Sequence, residues 1–106
     1  MKKILITRKL IKESENKASK TLRAIFNSND ELYSQSRVIE MSKGCDGILS
    51  SLTEKLDKDT IEKLPDTIKI ISNFAVVFGN IDLEAAKKKA LQLQTPLKYY
   101  LMQLQR

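Results

Sequence analysis

With no histidine and a single cysteine among 106 residues, the chain is left with carboxylates, lysines and amides for any chemistry it does. There is no imidazole to act as a general base or to ligate a metal. One thiol builds neither a disulfide framework nor a thiolate zinc cage. Cys45 stands just before an apolar run, between Lys43 and Asp46, with nothing that marks an activating site. It reads as a partly buried, inert thiol. Asp57, Asp59 and Glu62 cluster, but a hard cation needs oxygens converging from a fixed loop, and no Asp-x-Asp-x-Asp-Gly pattern is present. They read instead as acids that favour the first turn of a short helix. Asn73 ends an apolar run and carries an amide suited either to a ligand or to loop backbone. Gly44, Gly47 and Gly79 are too scattered for a phosphate-cradling loop.

The formal net charge is +6, from 19 basic against 13 acidic residues. Lysine supplies 15 of the positive charges and arginine 4, whereas readers of nucleic acid favour the planar arginine fork. The few aromatic residues are not interleaved with the lysines, so no base-stacking platform is formed. A solvated lysine-rich surface is the expectation, with no nucleic-acid partner. No apolar run approaches the roughly 20 residues that span a bilayer, so no membrane partner is expected either. Ile4 to Ile6 is too short for a signal core and is followed by Arg8 and Lys9. The lone cysteine and the missing signal point to a reducing cytoplasm. Length and a 42% hydrophobic content fit one globular domain.

The elements that must position these residues alternate. Ile4-Leu5-Ile6-Thr7 reads as a buried strand, and Ile11, Ala18 and Leu22 give a helix over 11–22. Ala24-Ile25-Phe26 reads as a brief second strand, followed by turn chemistry at Asn27-Ser28-Asn29-Asp30. A helix follows near Ser34 to Lys43, capped by Ser34 or Ser36 and stopped by Gly44. Asp46 to Ser50 is the third strand, and 58–64 a short helix ended by Pro65. Ile68-Lys69-Ile70-Ile71-Ser72 is the strongest strand signal, and Asp82 to Lys89 a helix with Asp82 as its cap and a lysine triplet at its C-terminal end. Strand–helix alternation predicts an α/β fold: an open, mainly parallel sheet with flanking helices. Ligands of such sheets bind beyond the carboxyl ends of the strands, which singles out Ser51-Leu52-Thr53 and the stretch from Asn73 to Gly79.

Asp46-Gly47-Ile48-Leu49 with Leu52-Thr53-Glu54-Lys55-Leu56-Asp57, and Ile68 to Val76 with Asn80-Ile81-Asp82, resemble the D-isomer-specific 2-hydroxyacid dehydrogenases, nearest the glyoxylate and hydroxypyruvate reductases. The resemblance runs from about residue 2 to 89. It implies a flavodoxin-like substrate-binding domain, here incomplete, that is built from both ends of the chain and flanks an inserted NAD(P)-binding Rossmann domain. It further implies a catalytic Arg, Glu and His later in the chain and a small 2-oxo or 2-hydroxy acid as substrate. None of those three residues has a counterpart here, so the resemblance implies that these 106 residues alone are inactive, bind no cofactor and contain no catalytic residue. What carries over is the carboxylate cradle: Val76 and Val77 match positions whose backbone N–H groups meet the substrate carboxylate. Leu52 matches a residue lining the substrate pocket, and Asn73 lies in the same motif. Val77 stands where the family has Gly, which permits a closer backbone approach. The competing reading is a non-catalytic flavodoxin-like binding module. Neither reading fixes an oligomeric state.

After Lys89 the family continues with Gly-Ile-Ala-Val-Thr-Asn-Thr-Pro-Glu-Val-Leu-Ser-Asp-Ala-Thr-Ala-Glu, and this chain does not. Deleting one adenine from a run of AAA codons at Lys87 to Lys89 converts a DNA encoding that family segment into one encoding Ala90 through Arg106 and a stop. Residues 1–89 are therefore expected to be domain sequence and residues 90–106 a frame-shifted tail. Within the tail, Leu91 and Leu93 alternate with Gln as in an edge strand, and Leu97, Tyr100, Leu101 and Leu104 fall at helical spacing.

Overall fold

In a computed structural model, described here for residues 2–10, 12–51, 54–73 and 80–94, strands and helices alternate along the chain. The strands are β1 (Lys3–Ile6), β2 (Arg23–Ile25), β3 (Gly47–Ser50), β4 (Ile70–Asn73) and β5 (Gln92–Gln94). The helices are α1 (Lys12–Thr21), α2 (Gln35–Met41), α3 (Lys58–Lys63) and α4 (Leu83–Lys88). All the strands pair in parallel, in the order β2-β1-β3-β4-β5. That is the flavodoxin-like order, in which the chain winds outward from β1 in one direction and then, from β3, in the other. The α/β expectation holds.

Strand residues alternate between two faces, and the register shows how each face is filled. Ile25, Leu5, Ile48, Ile71 and Leu93 line up across all five strands. Their face packs on Val38, Leu56, Ile61, Leu64, Ile81 and Ala86, which α2, α3, α4 and their flanks supply. Ile4, Ile6 and Leu49 fill the opposite face against Ala18 and Leu22 of α1 and its flank. Each fully buried Ile or Leu contributes about 1.5–3 kcal/mol, so the strand residues of these two faces dominate the stability. Gly47 sits between Ile4 and Ile70 in register. A Cβ there would stand 2.6 Å from Cγ2 of Ile70 and 2.9 Å from Cδ1 of Ile4, so only glycine fits.

The helix starts follow capping chemistry. Ser34 Oγ accepts from Arg37 N–H at 3.1 Å, which settles the choice between Ser34 and Ser36. Asp57 caps α3 through Thr60 N–H at 2.9 Å, and Asp82 caps α4 through Ala85 N–H at 3.0 Å. α2 ends at Met41 with Ser42 as its cap; Gly44, expected to stop the helix, takes its positive φ (80°) in the turn that follows. β4 starts at Ile70 rather than at Ile68: Ile68 turns into the core, while Lys69 already bonds Asp46 on one side and Gln92 on the other. α4 closes in a Schellman turn, with Leu91 N–H on Ala86 O at 2.9 Å and Ala90 at φ 58°. The lysine triplet divides. Lys87 and Lys88 lie in the last turn of α4, but Lys89 Nζ donates to the carbonyls of Ile61 (3.1 Å), Glu62 (3.3 Å) and Leu64, capping α3 instead of its own helix. The edge strand expected around Leu91 and Leu93 is β5. The helix expected over 97–105 lies outside the described residues.

Candidate functional site

The switch point of this strand order lies between β1 and β3, at their carboxyl ends. There the apolar rows give way to polar side chains. Thr7, one residue past β1, is fully buried and donates its backbone N–H to Leu49 O at 3.0 Å. Ser50 closes β3 and pairs in register with Asn73, the last residue of β4.

Four segments meet on this edge through buried polar groups. Glu54, only 2% exposed, carries the carboxyl that joins them. The Thr7 hydroxyl donates to Glu54 Oε1. Ser51 adds its backbone N–H at 3.1 Å and its hydroxyl at 3.2 Å to the same oxygen. Asn80 Nδ2 donates to Ser51 O and to Glu54 O, both at 2.9 Å. The backbone repeats the tie, because Leu56 N–H bonds Asn80 O at 2.8 Å and Asp82 N–H bonds Leu56 O at 2.9 Å. On the other flank Asn27 Nδ2 bonds Thr7 O at 2.8 Å and Glu31 O at 2.7 Å, which holds the turn after β2. Polar groups taken out of water at this depth persist because each is satisfied by another.

Beside this network lies an ion pair. Arg8 meets Asp30 through Nε at 2.7 Å and Nη2 at 3.0 Å, and Asp30 also accepts Lys9 N–H at 2.9 Å. The Arg8 fork and the Lys9 N–H hold the Asp30 carboxyl well below the usual carboxylate range, and the same pairing raises Arg8. Asp30 adopts φ 51°, a conformation that Asp tolerates better than most residues.

The sequence-derived site residues fall unevenly against this geometry. Leu52, Val76 and Val77 lie outside the described residues. Asn73 is placed by its backbone at the end of β4, on the carboxyl edge. Cys45 is fully buried, deeper than expected, and burial pushes its thiol up, as in an unreactive cysteine. Two of the acidic trio form helix-start chemistry: Asp57 is the cap, its carboxyl lowered by the Thr60 hydroxyl and N–H, and Asp59 sits in the first turn, whereas Glu62 lies near the C-terminal end of α3. Among the described residues no group of three or more His, Cys, Asp or Glu is placed to hold a metal, and no helix is long and apolar enough to cross a membrane. The turn Thr7-Arg8-Lys9-Leu10 contains no glycine, and Thr7 and Arg8 are engaged with Glu54 and Asp30. These residues do not fit a dinucleotide, whose pyrophosphate needs close backbone approach at such a turn. Thr7, Glu54 and Asn80 went unnoticed as site residues. The sequence signal for Glu54 and Asn80 was their place in the segments that carry the family resemblance.

An all-parallel sheet in the flavodoxin-like order, with a polar switch point, is a fold that hosts several chemistries. Comparison narrows it. A model of the D-isomer specific 2-hydroxyacid dehydrogenase catalytic domain matches residues 4–96, and the chain belongs to that family. The glycerate dehydrogenase of Hyphomicrobium methylovorum is 34% identical over 92 residues, which cover 87% of this chain and 29% of the relative. The glyoxylate reductase of Thermococcus onnurineus is 32% identical over 95 residues, covering 86% of this chain and 27% of that enzyme. The crystal structure of an NAD-binding D-isomer specific 2-hydroxyacid dehydrogenase from Polaromonas sp. JS6 66 shares the fold, with a TM-score of 0.84 and 20% identity over 88% of this chain and 29% of that one. The chain thus spans less than a third of each of these proteins.

Proposed function

We propose that the chain is the N-terminal part of the substrate-binding domain of an NAD(P)-dependent D-2-hydroxyacid dehydrogenase, most like the glyoxylate and hydroxypyruvate reductases, and that it does not catalyse alone. The observation that carries this reading is the family match over residues 4–96, which reaches every strand of the sheet, in a chain covering 29% of the glycerate dehydrogenase relative. In the full enzyme a nicotinamide cofactor, held by the inserted Rossmann domain, supplies or takes up hydride at the 2-carbon of a small acid. The residues of this chain would bind that acid: backbone N–H groups of Val76 and Val77 receive its carboxylate, while Leu52 lines its pocket and the Asn73 amide hydrogen-bonds it. The proton-handling His and the carboxylate-binding Arg belong to sequence beyond this segment. Nucleic acid and membrane are not among the proposed partners, and the single, buried thiol suits a reducing cytoplasm.

Residues 90–106 are, on this reading, a frame-shifted tail, although the family match runs on to residue 96. Ala90 supports it. Its φ of 58° lies in the left-handed region that favours glycine, and glycine is the residue the family carries at that point. The test compares two products: the 106-residue chain, and the chain encoded when one base is added within the Lys87 to Lys89 codons. The first should show no NAD(P)H-dependent reduction of glyoxylate, and the second should show it. Activity in the first, or none in a folded second product, would overturn the reading. A non-catalytic module predicts no dehydrogenase sequence in the restored frame.

A further inference from the structure

Asn80 ends the connection that leaves β4 and enters α4, and with Glu54 it ties that end to the segment after β3, whose Ser50 pairs with the other end. Asn73, where the connection begins, is paired with Ser50, and Ser51 follows directly. Asn80, where it ends, donates to Ser51 O and Glu54 O at 2.9 Å and accepts from Leu56 N–H at 2.8 Å. Segment 51–54 is in turn fixed to β1 by the Glu54 carboxyl, which accepts from Thr7 and from Ser51. Glu54 is 2% exposed and Asn80 9%. Core packing alone asks for apolar residues at such depth; two buried polar side chains that hydrogen-bond across segments instead fix one relative placement of the loops.

We infer that Glu54 and Asn80 are positioning residues: acting as hydrogen-bonding groups, they set the spacing of the loop ends on the carboxyl edge on which binding of a small 2-oxo acid depends. The inference rests on the substrate-binding reading above. Glu54 acts through acceptance of hydrogen bonds rather than through contact with the acid, and Asn80 through its two donated bonds.

The test titrates the 106-residue chain with oxalate, a two-carbon stand-in for a 2-oxo acid, and follows backbone amides by NMR. Glu54→Ala, which loses the bonds from Thr7 and Ser51, and Asn80→Ser, which loses at least one donated bond, should each weaken oxalate about tenfold or more. Glu54→Gln retains an acceptor oxygen and should stay within about threefold of the parent, given that a lost charge alone leaves those bonds in place. A residue that merely stabilises the fold would lower the melting temperature and leave the affinity of the folded chain alone. Parent-like oxalate affinity in both Glu54→Ala and Asn80→Ser would overturn the positioning role. Should Glu54→Ala fail to fold, Asn80→Ser alone decides by the same criterion. If the parent binds no oxalate, the substrate-binding reading falls. The positioning role, which rests on that reading, then falls with it, whereas parent binding that the two variants leave unchanged overturns the positioning role alone.

Discussion

Asn80 Nδ2 donates to the backbone carbonyl of Glu54 at 2.9 Å, joining the residue before the α4 cap region to the segment that follows β3. The same amide serves Ser51 O, so both of its protons are used inside the protein. Replacing Asn80 by Ser removes at least one of these bonds. The expected loss of stability is about 1–3 kcal/mol, read from urea unfolding with the slope unchanged.

Gly47→Ala should cost more than its size suggests. The added methyl would meet Ile70 Cγ2 at 2.6 Å and Ile4 Cδ1 at 2.9 Å in the centre of the sheet. Overpacking of this kind costs about 1–3 kcal/mol. Combined with Ile70→Ala, which removes the Cγ2 that the methyl meets, the two losses should sum to less than their additive value. Additive losses in the double mutant would show that contact with Ile70 is not the cause.

Ala90→Gly should stabilise the chain, against the usual penalty for glycine. Ala90 holds φ 58° in the Schellman turn that closes α4. An L-residue there gives up about 1–2 kcal/mol, so the variant should gain on the order of 1 kcal/mol net of the extra freedom glycine has when unfolded. A melting temperature that falls on this substitution would contradict a left-handed Ala90.

Acid should destabilise the fold through Asp30. Its carboxyl is held low by Arg8 and Lys9, so the folded state favours the ionised form more than the unfolded chain does. The associated stability is fully present above the ordinary carboxylate value of about 3.9 and is lost as the pH falls toward the lower folded value. Asp57, lowered by Thr60, acts in the same direction. Asp30→Asn should therefore lower the urea midpoint near pH 6 and have a smaller effect near pH 2.5, roughly one unit or more below that ordinary value. The pair is exposed, so added salt should shrink the difference.

The alternation of strand and helix was legible because apolar runs such as Ile4-Leu5-Ile6 and Ile70-Ile71 are short, and because Ser34, Asp57 and Asp82 announce helix starts. The resemblance carried the family, while the strand order came from the structure. The polar edge was not legible. Glu54, between Thr53 and Lys55, looks like solvated surface, and only the meeting of β1 with the segment after β3 turns it inward onto Thr7. Lys89 misled for a similar reason. A lysine at a helix end suits that helix's dipole, yet the packing of α4 beside α3 delivers its ammonium to the carbonyls of Ile61, Glu62 and Leu64. Long-range hydrogen bonds leave no period in a sequence. Of the residues named through the resemblance, Asn73 is placed on the carboxyl edge by its backbone, and Leu52, Val76 and Val77 lie outside the described residues.

We propose that this chain is the N-terminal part of a D-2-hydroxyacid dehydrogenase whose reading frame changes after Lys89. The nucleotide sequence across the Lys87 to Lys89 codons and downstream tests it most directly. An adenine tract is expected there and, with one base added, an open frame that restores glycine at position 90 and runs into a Gly-x-Gly-x-x-Gly motif following a strand. A mixed-codon lysine triplet with a restored frame that meets stop codons at once, or encodes no Rossmann domain, would contradict it.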